Sequence, residues 1–243
     1  MIYEIFEPVY PGFFVTINSY FSCVNVTEVI DQLKLRAVAS RLEGMSRYGI
    51  DTTSAMGVTM PEIRKLAKGI PKDHTLALQL WDTAIRECQI LASLVDDRKQ
   101  VTKQQMDQWV SDFNSWEVCD QVCGNLFVRK PYAIEKALEY SRSEEEFIKR
   151  AGFVLMAEMQ VHNKKVSNQE LMQFFPVIER EAWDERNFVK KAINSALRQM
   201  GKRNKELRMV AIECAKRIAQ QDSKSAKWIA RDALAEFEKK FGV

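Results

Sequence analysis

The chain has 243 residues, 46% hydrophobic and 28% charged, with a net charge of +3 at pH 7. That composition places it among ordinary globular proteins and argues against a disordered or low-complexity chain. With only 9 Gly and 6 Pro, helices joined by short turns are expected, not many hairpins.

Residues 1–25 differ from the remainder: they carry seven aromatics, two prolines and no Lys or Arg. Glu4, Glu7, Pro8 and Pro11 interrupt any apolar run, so neither a signal peptide nor a membrane span is expected. The segment reads as an N-terminal appendage, and residues 26–243 as one helical domain. Thr27 is expected to cap a long amphipathic helix running to about Gly44, followed by the polar connector MSRYGIDTTSAMGVTM. Pro61 opens the next helix from its first turn. Two more helical patterns, HTLALQLWDT and IRECQILASLVDD, follow.

In TKQQMDQWVSDF, Met106, Trp109, Val110 and Phe113 recur at the spacing of one buried helix face. Ser115 then stands as N-cap of a further helix whose apolar stripe is Cys119, Val122, Cys123 and Leu126. Trp116, Asp120 and Phe127 share one edge of that stripe, with indole and carboxylate a turn apart. A carboxylate there needs a partner, and the residues alone leave a structural cap or ion pair open beside a catalytic role. Helices are expected at 131–141, 144–160, 167–181, 185–201, 204–221 and 223–240. Successive pairs of this kind define an all-α fold, an α-solenoid (armadillo-type superhelix) of degenerate HEAT-like repeats.

The five cysteines are odd in number and lie mostly in helical patterns, as reduced buried thiols do in a cytoplasmic protein. Only two histidines accompany them, so no zinc site and no cofactor is expected. Residues 181–243 hold 15 Lys+Arg against 9 Asp+Glu, whereas residues 1–180 hold 21 against 24. A basic C-terminal quarter points to a polyanion, with nucleic acid first. Lys191, Ser195, Arg198 and Lys202 form one stripe, and Lys224, Lys227 and Arg231 form another beside Trp228. Either could be a solvated face, but two of one sign on successive repeats also suit a phosphate track. Arg150 emerges between Phe147, Phe153 and Val154. It either snorkels to solvent, grips a phosphate or orients Asp120.

The blocks AMGVTMPEIRKLAK, LWDTAIRECQILASLVDD, WVSDFNSWEVCDQVCGNLF, FIKRAGFVLM and FVKKAINSALRQMGKRN resemble, in order from about residue 30 to 238, the DNA alkylation repair family of AlkD-like alkylpurine DNA glycosylases. The resemblance implies a HEAT-like superhelix that binds duplex DNA in a basic concave face. It further implies hydrolysis of the N-glycosidic bond of cationic lesions, 3-methyladenine and 7-methylguanine, without a metal and without flipping the base into a pocket. Trp116 and Asp120 match the family's catalytic Trp and Asp, and Arg150 its active-site Arg, which would hold a flanking phosphate. The family's second cleft Trp falls in KKAINSALRQ, where this chain has Ser195. Three readings follow: a glycosylase acting on alkylated duplex DNA as a monomer, nucleoid-associated if prokaryotic; a DNA-binding member that lacks excision because of Ser195; or a HEAT-like adaptor for protein partners.

Overall fold

The computed structural model describes residues 24–242, so the expectations for residues 1–23 lie outside the described residues. The described chain forms fourteen α-helices and a short 3-10 turn, with no strand among the described residues. Helix α1 (Val26–Lys34) is capped by Asn25, not Thr27. The Asn25 side chain accepts from Glu28 N–H at 3.0 Å, and the Glu28 carboxylate accepts from Asn25 N–H at 3.2 Å. Two orphan amides are satisfied reciprocally. The helix does not reach Gly44: it stops at Lys34, and α2 (Ser40–Arg47) is separate. The break is made at long range, where Val38 N–H donates to Met56 O at 3.2 Å. Gly57 (φ +74) meets the Val38 carbonyl there so closely that no Cβ would fit. None of the residues of α2 is buried.

Next come α3 (Met60–Lys68), with Pro61 in its first turn, α4 (His74–Asp82), α5 (Arg86–Val95), α6 (Lys103–Ser111) and α7 (Trp116–Asn125). After the 3-10 turn Phe127–Arg129 follow α8 (Ala133–Tyr140), α9 (Glu146–His162), α10 (Asn168–Met172) and α11 (Phe174–Glu181). The chain closes with α12 (Asn187–Arg203), α13 (Lys205–Ala219) and α14 (Lys224–Phe241), the last ended by Gly242 at φ +70. Helices α3, α5, α7, α9, α12 and α14 pack side by side as one layer. Helices α4, α8 and α13 back that layer. This is the two-layer solenoid expected, and every candidate site residue lies on α7, α9, α12 or α14 of the first layer.

No sequence repeat announces the period, yet bonds between repeats recur at similar separations. Trp81 Nε1 donates to Asp112 31 residues on, Arg86 pairs with Glu117 31 on, and Asn194 donates to Asp232 38 on. The core begins at a stacked pair, Trp81 and Trp109, with centroids 4.1 Å apart. Met106, Trp109, Val110 and Phe113 are all buried, as are Cys119, Val122, Cys123 and Leu126. Phe127 departs from expectation. Helix α7 ends at Asn125, and Phe127 turns inward to lie 6.1 Å from Trp109. It fills core and does not share the edge of Trp116 and Asp120.

Candidate nucleic-acid interface and active site

Helix α7 starts at Trp116, placing Asp120 one turn further along the same edge. Ser115 holds the N-cap position, but its buried hydroxyl finds no partner. The first turn is anchored instead by Glu117, which accepts from Arg86 at 2.6 Å and 2.9 Å. Arg86 also bonds Glu87 at 2.9 Å, and the Glu87 carboxylate accepts from Met56 N–H at 3.0 Å and Val58 N–H at 3.2 Å. Arg86 and Glu87 are 5% and 0% exposed, so one buried network ties the α2–α3 connector to the root of Trp116.

Helix α9 packs against α7 and delivers Arg150 to Asp120. Arg150 Nε donates to Asp120 Oδ1 at 2.9 Å and Nη2 to Oδ2 at 2.8 Å, a bidentate pair. Its Nη1 donates to Phe188 O at 2.6 Å, at the start of α12. Of the partners open to Arg150, the structure pairs it with Asp120. Its donors point to the carboxylate and a carbonyl, and its side chain is 8% exposed. Burial works against its charge, yet Asp120 keeps it firmly protonated. Burial likewise pushes the Asp120 carboxyl up, with Arg150 opposing. The Asp120 side chain is 32% exposed, so the pair is open to a ligand on the carboxylate side.

Trp116 lies over this pair, its ring centroid 6.0 Å from the guanidinium carbon of Arg150. Its indole N–H donates to Tyr48 O at 2.9 Å. Phe188 stacks with Phe147 at 5.6 Å, and its ring lies where a Cβ on Gly49 would approach to 2.7 Å. Gly49 has φ +72, so only glycine turns here without strain. Tyr48, Gly49 and Phe188 were missed in the sequence. Gly49 beside Tyr48 was the available signal, but nothing in the primary structure relates it to α7.

The basic stripes are divided by tertiary contacts. Arg198 bonds Asp232 at 3.2 Å and Glu236, and Lys202 bonds Glu236 at 3.1 Å. Glu236 raises the Arg198 guanidinium pKa further. Burial disfavours the Glu236 charge, but Arg198 and Lys202 hold its carboxyl below the usual range. These two cations are committed to α14. Lys191, Lys224, Lys227 and Arg231 are exposed, with Lys227 paired to Asp222 at 3.2 Å. Ser195 is half-buried on α12 between Lys191 and Arg198. Its neighbour Asn194 is buried and donates to Asp232 at 2.7 Å.

Cys88, Cys119, Cys123 and Cys214 are free and buried, with burial pushing Cys88 up to about 11. Among the described residues no group of three or more His, Cys, Asp or Glu side chains is placed to hold a metal ion. No described helix is long and apolar enough to cross a membrane.

This two-layer helical solenoid is a HEAT-like repeat fold. The chain belongs to the DNA alkylation repair enzyme family, whose model matches residues 29–237. Among solved structures it is similar to one described as a new family of proteins related to the HEAT-like repeat DNA glycosylases with affinity for branched DNA structures. That similarity is at 18% identity and a TM-score of 0.75, covering 88% of this chain and 95% of that one. No curated protein matches the chain.

Proposed function

We propose that this protein binds duplex DNA and hydrolyses the N-glycosidic bond of cationic alkylated purines such as 3-methyladenine and 7-methylguanine. The observation that carries the reading is the bidentate Asp120–Arg150 pair beneath Trp116, bonded to α9 on one side and part-exposed on the other. An alkylated purine with a positive ring leaves with the bonding electron pair and becomes neutral, so no strong general acid is required. Positive charge then builds on the deoxyribose, as in glycoside cleavage generally. Asp120 opposes that charge from a position Arg150 holds still, a preorganised electrostatic contribution. Trp116 offers its π-face to the same cationic sugar. Water adds to the anomeric carbon and releases its proton to solvent. Exposed Lys191, Lys224 and Arg231 are the cations proposed to meet phosphates.

A second reading, DNA binding without excision, is favoured by one residue. Ser195 stands where the family carries a cleft aromatic, and the similar solved protein is described by its affinity for branched DNA. Release of 7-methylguanine from methylated duplex DNA by the wild type and by Asp120→Asn separates the two. Excision by the wild type alone supports the glycosylase. Tight binding with no release by either supports the second reading.

A further inference from the structure

Glu158 lies two turns beyond Arg150 on α9 and has no part in the chemistry above. Its carboxylate rests on Gly124, one turn beyond Asp120 on α7: a Cβ on Gly124 would lie 3.1 Å from Glu158 Oε2. Along the row Trp116, Asp120, Gly124, the missing side chain is what makes room for a second carboxylate one turn from the first.

The hydrogen-bond donors of the nearby cations point elsewhere. Arg150 is spent on Asp120 and Phe188 O, and Arg129 Nη1 donates to the carbonyls of Gly124 at 2.8 Å and Asn125 at 3.1 Å. Arg203 of α12 donates to the carbonyls of Met159, Gln160 and Asn163. Among the described residues, Glu158 has one ion-pairing partner, His162 Nε2 at 3.1 Å. Burial, then Arg129 and Lys164, hold the His162 imidazolium below its ordinary pKa, leaving the ring neutral at neutral pH. Glu158 therefore has no cation in direct contact at neutral pH; Arg129 offsets its charge only through space, and its side chain stays 29% exposed.

Such a charge repels an approaching polyanion, and the repulsion falls on damaged and undamaged DNA alike. It turns to attraction only where the nucleoside presented to the cleft is itself positive. We propose that Glu158 is a specificity-determining residue, a second carboxylate that with Asp120 biases the cleft toward a cationic purine nucleoside and against a neutral one. The proposal rests on the glycosylase reading for its substrate but is measured independently of excision.

Duplexes carrying 7-methylguanine, the neutral O6-methylguanine or no lesion are compared for binding and single-turnover release, using the wild type, Glu158→Gln and Glu158→Lys. A unit charge one turn away, part-exposed and screened, is worth on the order of tenfold. Glu158→Gln should tighten binding to undamaged duplex by about that factor and lose a similar factor of preference for 7-methylguanine. Glu158→Lys, which needs no isosteric fit, should go further in the same direction. Burial, then Asp120, push the Glu158 carboxyl up, with Arg129 opposing and the Cys123 thiol alongside. The wild-type preference should thus fade as pH is lowered, sooner than an ordinary glutamate would allow, and the Glu158→Gln profile should show a smaller step that comes from Asp120 alone. Unchanged discrimination in both variants overturns the proposal, as does a wild type with no preference in binding or release. A wild type that releases no base, yet binds the cationic duplex preferentially and loses this in Glu158→Gln, overturns excision and upholds the role of Glu158.

Discussion

Replacing Asp120 with Asn tests the centre of the site in two observables at once. Asp120 accepts two bonds from Arg150, at 2.9 Å and 2.8 Å. An amide accepts only one of them, and its NH2 group faces a guanidinium donor. Breaking a buried pair from one side costs about 3–5 kcal/mol. Asp120 is 32% exposed, and solvent screening reduces the cost to about 2 kcal/mol. For a chain of this size that lowers Tm by about 4–8 °C. Losing the charge that opposes the sugar cation costs about 3 kcal/mol more of transition-state stabilisation, roughly a hundredfold in rate. Affinity for undamaged duplex DNA should stay the same or rise slightly, because one repulsive charge is gone. Thermal melting, fluorescence titration with duplex DNA and single-turnover release of 7-methylguanine read the three quantities. An Asp120→Asn protein that releases base as fast as the wild type would refute the catalytic assignment. An unchanged Tm would refute the energetic account of the ion pair.

Lys191→Ala should reduce the slope of log K against log salt by about one phosphate contact without altering sequence preference. Arg198→Ala should leave that slope nearly intact and lower Tm, since Arg198 is committed to Asp232 and Glu236; the opposite ranking would show that the pairs open on DNA. Ser195→Trp should raise base release if the missing aromatic limits the wild type, with the salt slope unchanged; no gain would remove the aromatic as the limiting feature. Asp184→Asn addresses acid stability. Burial disfavours the Asp184 charge, but Arg186 and Lys149 outweigh it and hold the carboxyl below its ordinary value. Its stabilisation is present above the unfolded-state pKa of about 4 and lost as pH falls through the folded-state value. The variant should melt lower at neutral pH, and the difference from the wild type should shrink in acid.

Much of the fold was legible because local chemistry determined it. The 3.6-residue period placed Met106, Trp109, Val110 and Phe113 in the core, and the succession of short capped helices indicated a solenoid. Even the error at the first cap was correctable locally: the reciprocal Asn25–Glu28 pattern was available and outranks Thr27. The break after Lys34 was not. It depends on Met56 and Gly57 reaching back to Val38, and nothing within 35–39 is a helix breaker.

At the site, helical spacing alone put Trp116 and Asp120 one turn apart and showed Arg150 as a cation among apolar side chains. It could not choose among solvent, phosphate and Asp120 as the partner of that guanidinium. The choice was made by the packing of α9 on α7, which brings together groups 30 residues apart. For the same reason the sequence leaves the whole α12 stripe open as solvated face or phosphate track. The carboxylates that claim Arg198 and Lys202 come from α14, 34 and 38 residues further on, and a one-dimensional pattern carries no information about which face that helix presents. Periodicity therefore determined which side chains leave the core, because burial of an apolar stripe is a property of one helix. Which charges remain available for a ligand was decided only by the solenoid, because an ion pair is a property of two helices.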